Sequence, residues 1–396
     1  MRKTRRDFFW VGGIALLAGL LVSDCPGAAG ADGRSGGLHI TGKIIASQGV
    51  LLGPPADGRI LTLFSSPQNP SLPGHAYPRE FGTPEYCVDL WQLPAGKLLG
   101  RWFTVGKPLA AGTWFDPEVS IGDCVIGCTF RRTTKNWRDA DTAFQNLCML
   151  RMSESGPKMI WRDPIVSRPK SVMLIGHRFA VVRLAGGLAR LFDVHTGRLM
   201  ETLRPQLHSR LTTAPGYIGA IHGSSISHPP PTIQVWAIKK GLPAANAKET
   251  PIVPRTPRLC VASTVTPGGG AILVGSQGHI ELVNRMGIVR IRRWTLRRLA
   301  RLSGSLLPWS PEILQISPNG RLCLCCVYAF SLGANPEGYT QLLILNVKNL
   351  DVLWKSPVRP SRQLAVGTWV NNDTFVTSGV STGTPGTHVV EWSIRR

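Results

Sequence analysis

The sequence predicts an all-β chain folded as a seven-bladed β-propeller, and three observations predict it. A strand–turn–strand unit recurs along the chain. DLWQLPAGKLLGRW (Asp89 to Trp102), LFDVHTGRLMETL (Leu191 to Leu203) and LLILNVKNLDVLWKS (Leu342 to Ser356) are plain copies. LCMLRMSESGPKMIWRD (Leu147 to Asp163), TIQVWAIKKGL (Thr232 to Leu242) and IELVNRMGIVRIRRW (Ile280 to Trp294) are weaker ones. Each is an apolar run that breaks at Gly, Asn or Pro and resumes with a basic residue, which is how a β-hairpin is written. Next, the turn markers Gly42, Gly96, Gly156, Gly197, Gly241, Gly287 and Asn349 lie roughly 41–62 residues apart, where a bare four-stranded blade takes about 40–50. Seven markers give seven blades, with six and eight as the alternatives. Finally, the chain ends complement each other. HVVEWSIRR (His388 to Arg396) reads as the third strand of a blade and stops where its turn is due. ITGKIIAS (Ile40 to Ser47) offers a turn at Thr41-Gly42 and then an outer strand, so pairing the two closes the ring and hides its edges.

Taken in order, residues 1–31 stand outside the ring. Arg2, Lys3, Arg5 and Arg6 precede an apolar stretch from Phe8 to Val22, too short for a comfortable membrane span, and Ala29-Gly30-Ala31 is a small-x-small cleavage site. Thr4-Arg5-Arg6-Asp7-Phe8-Phe9 resembles the twin-arginine export signal, with Arg5 and Arg6 as the paired arginines. An ordinary secretory signal, a lipoprotein signal at Cys25 and an uncleaved anchor are the alternatives. The expectation is a bacterial protein exported to the periplasm or beyond. Residues 32–396 then form one propeller domain, because Pro229-Pro230-Pro231 and Pro251 to Pro257 read as loops, not linkers. Insertions fall at about 66–84, 132–146 and 294–312. In the last, Leu296, Leu299 and Leu302 are spaced as one face of a short helix.

Several of these motifs resemble WD-repeat and related propellers. Thr-Gly-Arg/Lys after an apolar strand is one; SPNGRLCLCC (Ser317 to Cys326) resembles the turn that precedes a blade's second strand. Trp91, Trp236 and Trp392 occupy the expected Trp position, but only Phe192-Asp193 keeps the following Asp. Gly176-His177 and Gly278-His279 fall at other points of their blades. The resemblance therefore implies a WD-like ring without the family's Asp–His network. The steps from Gly96 to Trp102 and from Asn349 to Trp354 also resemble quinoprotein-type repeats, which would imply calcium ligands and a channel carboxylate.

The net charge is +22, and removing residues 1–31 leaves about +20. Such a balance suits an acidic partner: an acidic protein, an acidic envelope polymer or anionic lipid head groups. Nucleic acid fits the charge but not the export signal. A solvated basic surface is the alternative. The densest run is Arg285, Arg290, Arg292, Arg293, Arg297, Arg298 and Arg301; the last six form the candidate interaction patch, a basic segment able to lie on an anionic surface.

Motifs for chemistry are sparse. The nine cysteines show no metal-ligand spacing and read as small hydrophobes packed between sheets, with one cross-strand disulfide as the alternative. GVSTG (Gly379 to Gly383) matches a nucleophile elbow but sits among β-type residues, as a hairpin loop would. His222 and His228 have no carboxylate near them in sequence, and Gly268-Gly269-Gly270 lacks the Lys-Ser/Thr of a phosphate loop. No catalytic, cofactor-binding or metal-binding residue is assigned. The expected function is a non-catalytic binding scaffold, with an envelope enzyme, a quinone-type dehydrogenase or a hydrolase, as the alternative.

Overall fold

The computed structural model describes residues 38–46, 49–65, 86–103, 113–132, 142–165, 169–184, 187–205, 209–222, 232–239, 242–243, 248–251, 260–275, 279–284, 287–293, 310–330, 338–357, 359–360, 366–378 and 388–395. Within them the chain is strands and turns alone. The first strand, β1 (His39–Ala46), is set aside for the last blade. Blade 1 comprises β2 (Val50–Leu51), β3 (Arg59–Ser65), β4 (Tyr86–Gln92) and β5 (Lys97–Phe103). Blade 2 follows with β6 (Thr113–Ile121), β7 (Cys124–Arg132), β8 (Thr142–Ser153) and β9 (Gly156–Pro164). In blade 3 these are β10 (Ser171–Ile175), β11 (Phe179–Arg183), β12 (Ala189–Asp193) and β13 (Leu199–Leu203). Blade 4 has β14 (Arg210–Ala214), β15 (Tyr217–His222), β16 (Thr232–Lys239) and a split outer strand, β17 (Leu242–Pro243) and β18 (Lys248–Pro251). Blade 5 is β19 (Cys260–Val265), β20 (Ala271–Gly275), β21 (His279–Asn284) and β22 (Gly287–Arg293). Blade 6 runs β23 (Ser310–Ile316), β24 (Leu322–Phe330), β25 (Gly338–Asn346), then β26 (Val352–Lys355) and β27 (Arg359–Pro360) along one edge. Blade 7 combines β28 (Val366–Trp369), β29 (Thr374–Ser378) and β30 (Val389–Arg395) with β1.

Apolar layers between neighbouring blades give their order. Leu61 and Leu90 of blade 1 share a cluster with Phe115 and Val125 of blade 2. Trp161 of blade 2 packs with Phe192 of blade 3, and Val181 of blade 3 with Ile218 of blade 4. One continuous cluster, on both faces of blade 5, joins Ile233, Ile272 and Leu343 of blades 4, 5 and 6, and a layer joins Leu324 to Phe375 of blades 6 and 7. Val376 and Ile45 of blade 7 meet Ile60 and Trp91 of blade 1, which closes the circle. The strands of each blade are covered on both sides, so they read as near-continuous apolar runs, as in Leu322 to Cys326.

Closure is the predicted one, with one correction. β1 pairs antiparallel with β30 from His39 opposite Arg395 to Ala46 opposite Val389. Thr41 and Gly42 are not a turn; they lie inside β1, opposite Ser393 and Trp392. Gly42 is there because a Cβ would fall 2.8 Å from the Trp392 ring. Ile45 is the extra residue of a bulge and is 1% exposed, whereas Ile44 is 44% exposed.

The turn between third and fourth strands repeats closely. Gly96 N–H donates to Gln92 O, Gly197 N–H to Asp193 O, and Leu350 N–H to Asn346 O, at 2.9, 2.9 and 2.8 Å. The fifth residue is left-handed each time, with φ 64°, 70° and 57°. The residue equivalent to the glycines is therefore Leu350, one beyond the expected Asn349. In blade 3 the Asp193 carboxylate accepts from the amides of His195 and Thr196, the Thr196 hydroxyl and Arg178. Burial raises its pKa, but these donors outweigh burial and hold it below the usual value. In blades 1 and 7 a third-strand Trp is tied to the second strand: Trp91 Nε1–H donates to Thr62 Oγ1 and Trp392 Nε1–H to Thr377 Oγ1, at 3.0 and 2.8 Å.

Candidate functional site

Strand order and direction sort every connection onto one of two faces. Ser120 N–H donates to Leu52 O, Thr213 Oγ1 to Leu174 O, Thr264 Oγ1 to Thr213 O and Trp369 Nε1 to Gln315 O. Each bond joins the C-terminal ends of neighbouring inner strands, so the inner strands run in one direction. The turns after them meet as well: Gly122 N–H reaches Pro54 O, and Asn319 N–H reaches Asn372 Oδ1. Because each blade is antiparallel, the first-to-second and third-to-fourth strand turns share one face. The second-to-third connections and the crossings from one blade's outer strand to the next blade's inner strand leave from the other.

The turn face is compact. SPNGR is built as expected: Ser317 Oγ donates to Asn319 Oδ1, and Leu322 N–H donates to Ser317 Oγ. Gly268-Gly269-Gly270 also closes a hairpin, with Gly269 N–H on Thr266 O. Charges of both signs mix here, Asp57, Asp123, Glu154 and Asp373 with Arg178, Arg321 and Lys348. Arg59 Nη1 lies 2.8 Å from Asp123 Oδ2, and Arg178 Nε 3.3 Å from Asp193 Oδ2.

The opposite face carries the connections with insertions and a different charge. The seven blade-to-blade crossings are 47–49, 104–112, 165–170, 204–209, 252–259, 294–309 and 361–365. Their sequences contain no Asp or Glu, but do contain Lys107, Arg168, Lys170, Arg204, Arg258 and Arg362 besides the arginines of 294–309. Acids of the connections on this side lie in second-to-third connections, at Glu80, Glu85, Asp139, Asp141 and Glu337, and Asp163, Glu249 and Glu312 stand towards loop-side strand ends.

The predicted arginine patch is divided by the fold. Arg290, Arg292 and Arg293 belong to β22, the outermost strand of blade 5, opposite Leu282, Ile280 and His279. Arg297, Arg298 and Arg301 lie outside the described residues, in the crossing from blade 5 to blade 6. Since β22 runs away from the turn face, the run climbs the rim towards the loop-bearing side. The helix expected around Leu296 to Leu302, the export-signal residues Arg5 and Arg6, and His228 and Gly379 to Gly383 also lie outside the described residues. His222 ends β15 opposite Thr232.

The buried groups are structural. Asp89, fully buried, takes a bidentate ion pair from Arg101 at 2.6 and 2.7 Å across β4 and β5. The hydrogen bond that Arg101 donates to Asp89 outweighs desolvation and raises the Arg101 pKa. Cys87, Cys124, Cys128, Cys148, Cys323, Cys325 and Cys326 are buried thiols in the interblade layers, as small hydrophobes should be. Cys323 and Cys325 face the layer shared with blade 5, and Cys326 faces blade 7. Burial pushes Cys148 and Cys325 up to about 12 and Cys124 to about 11. Among the described residues no three His, Cys, Asp or Glu side chains are grouped to hold a metal ion.

No protein-family model matches the chain, and comparison with curated proteins gives no match. The architecture is that of a seven-bladed propeller; its subdivision, WD-like or quinoprotein-like, stays with the motif resemblance.

Proposed function

We propose that this chain is an exported propeller that binds an acidic protein or envelope polymer on its loop-bearing face and catalyses no reaction. One observation carries the reading: seven crossings free of carboxylates open on one side of the ring, while the turn side mixes both signs. A polyanion approaching that side meets seven crossings that together carry bases and no acids, the acids of the side being confined to other segments, and this excess of positive charge steers it. Contact at several crossings at once makes binding tolerant of losing one. Export rests on the sequence of residues 1–31, and an anionic membrane surface is the competing ligand.

The test is capture from a fractionated envelope by full-length protein and by two charge-altered forms. In one, Lys107, Arg258 and Arg362 become Gln; in the other, Arg321, Lys348 and Arg198 do. The reading expects a salt-sensitive acidic partner retained by the wild type and the second form, and weakened in the first. Equal retention by both, capture of lipid vesicles alone, or a chromophore bound to protein purified from its host would overturn it.

A further inference from the structure

Arg183 ends β11, on the loop-bearing side of blade 3. Alternation along that strand places Phe179 and Val181 in the apolar layer shared with blade 4, so Arg183 enters the same seam at its loop-side mouth. Its neighbours across the sheet are Ser171 and Ala189, and Val181, Leu211 and Ala220 close the seam beneath it. The Arg183 side chain is half-buried, and its Nε is fully buried with no hydrogen-bond partner. Of the Asp, Glu, Lys and Arg side chains described, it is the one with such an atom. Burial lowers its pKa, as it must for a cation that has lost water and gained no counter-charge. The carboxylate of Asp163, at the loop-side end of blade 2, is engaged with Arg190. The connections around the seam mouth, 165–170, 184–188, 204–209 and 223–231, contain no Asp or Glu. Lys170 is tied to the same strand end by its backbone, its amide N–H donating to Arg183 O at 2.7 Å, while alternation with Val172 and Leu174 turns its exposed side chain to the blade 2 side.

We propose that Arg183 binds an oxyanion, a carboxylate or phosphate group, at the loop-side mouth of the seam between blades 3 and 4. Buried polar donors are paired in native proteins, and a guanidinium offers Nε–H and an Nη–H as parallel donors matched to two oxygens of one anion. The apolar floor of the seam keeps competing water out. The site is independent of the macromolecular partner proposed above, since a small anion suffices to fill it.

The experiment titrates wild-type protein with inorganic phosphate and, separately, with acetate at constant ionic strength, following the melting temperature and the Arg183 Nε–H resonance. That resonance is assigned by its loss in Arg183→Lys. The site predicts a saturable resonance shift and a rise in melting temperature; whichever anion acts at lower concentration identifies the group. Arg183→Met should lower affinity roughly tenfold or more, while Lys348→Met on the turn face should change nothing. Without anion, Arg183→Met should melt at or above the wild type, because it removes an unpaired buried donor. The proposal falls if neither anion moves the resonance, or if Arg183→Met keeps the wild-type response. It falls equally if Arg183→Met melts well below the wild type in anion-free buffer, which would show the guanidinium already satisfied within the protein.

Discussion

Removing β1 should cost close to the whole stability of the domain. The ladder from His39–Arg395 to Ala46–Val389 supports roughly seven backbone hydrogen bonds, each worth about 0.5–1.5 kcal/mol net. Ile45, 1% exposed between blades 7 and 1, adds about 2–3 kcal/mol of burial. The loss is thus about 6–13 kcal/mol, against a total of about 5–15 kcal/mol for an ordinary domain. It also bares the edge of β30, a template for aggregation. The assay is urea and thermal unfolding of the chain lacking residues 40–47 beside one lacking only 32–36, which should melt like the full chain. Point variants separate ladder from burial: Ile45→Ala should cost about 2–5 kcal/mol, and exposed Ile44→Ala less than about 0.5 kcal/mol. If the two deletions unfold alike, or Ile44→Ala costs as much as Ile45→Ala, the ring is not closed by this strand.

Three other outcomes are expected. Asp89→Asn or Arg101→Met should each destabilise by about 3–5 kcal/mol, while the double change to Leu and Met should recover most of it, as seen by urea unfolding, because an ion pair with one partner gone leaves a buried charge uncompensated. Leu350→Gly should lower stability by about 1–3 kcal/mol in the same assay: it relieves about 1–2 kcal/mol of left-handed strain but forfeits a side chain that is 1% exposed. The seven buried thiols should resist alkylation in native protein from pH 7 to 9 and react on unfolding, with labelled peptides read by mass spectrometry; burial shields all seven and raises the pKa of Cys124, Cys148, Cys323 and Cys325, so the thiolates of these four form only above that range, and labelling of Cys148 or Cys325 at pH 8 would contradict their placement.

The hairpins between third and fourth strands were legible because their turns demand a left-handed residue, and Gly96 and Gly197 announce it. Leu350 hid the same turn by adopting that conformation without being glycine, which displaced the reading to Asn349. Gly42 misled in the opposite sense. It is small to clear Trp392, a contact made across almost the full length of the chain, and next to Thr41 it imitates a turn. The bulge at Ile45 breaks the alternation, so which of Ile44 and Ile45 is buried could not be read from spacing. The arginine run drew attention because it is contiguous, whereas the acid-free crossings are scattered and form one face only after the strands are placed. Arg183 carries no local signal at all: FAVVR reads as any strand, and its missing partner is a property of the seam.

Site-specific photo-crosslinking of the captured complex tests the central claim most directly. A photoreactive residue is placed singly at Leu188 or Arg204 on the loop-bearing side, and at His195 or Lys348 on the turn side, all four being exposed. The account predicts adducts with the acidic partner from Leu188 and Arg204 that disappear at high salt, and none from His195 or Lys348. Adducts from the turn side, or equal yields from both, would contradict it.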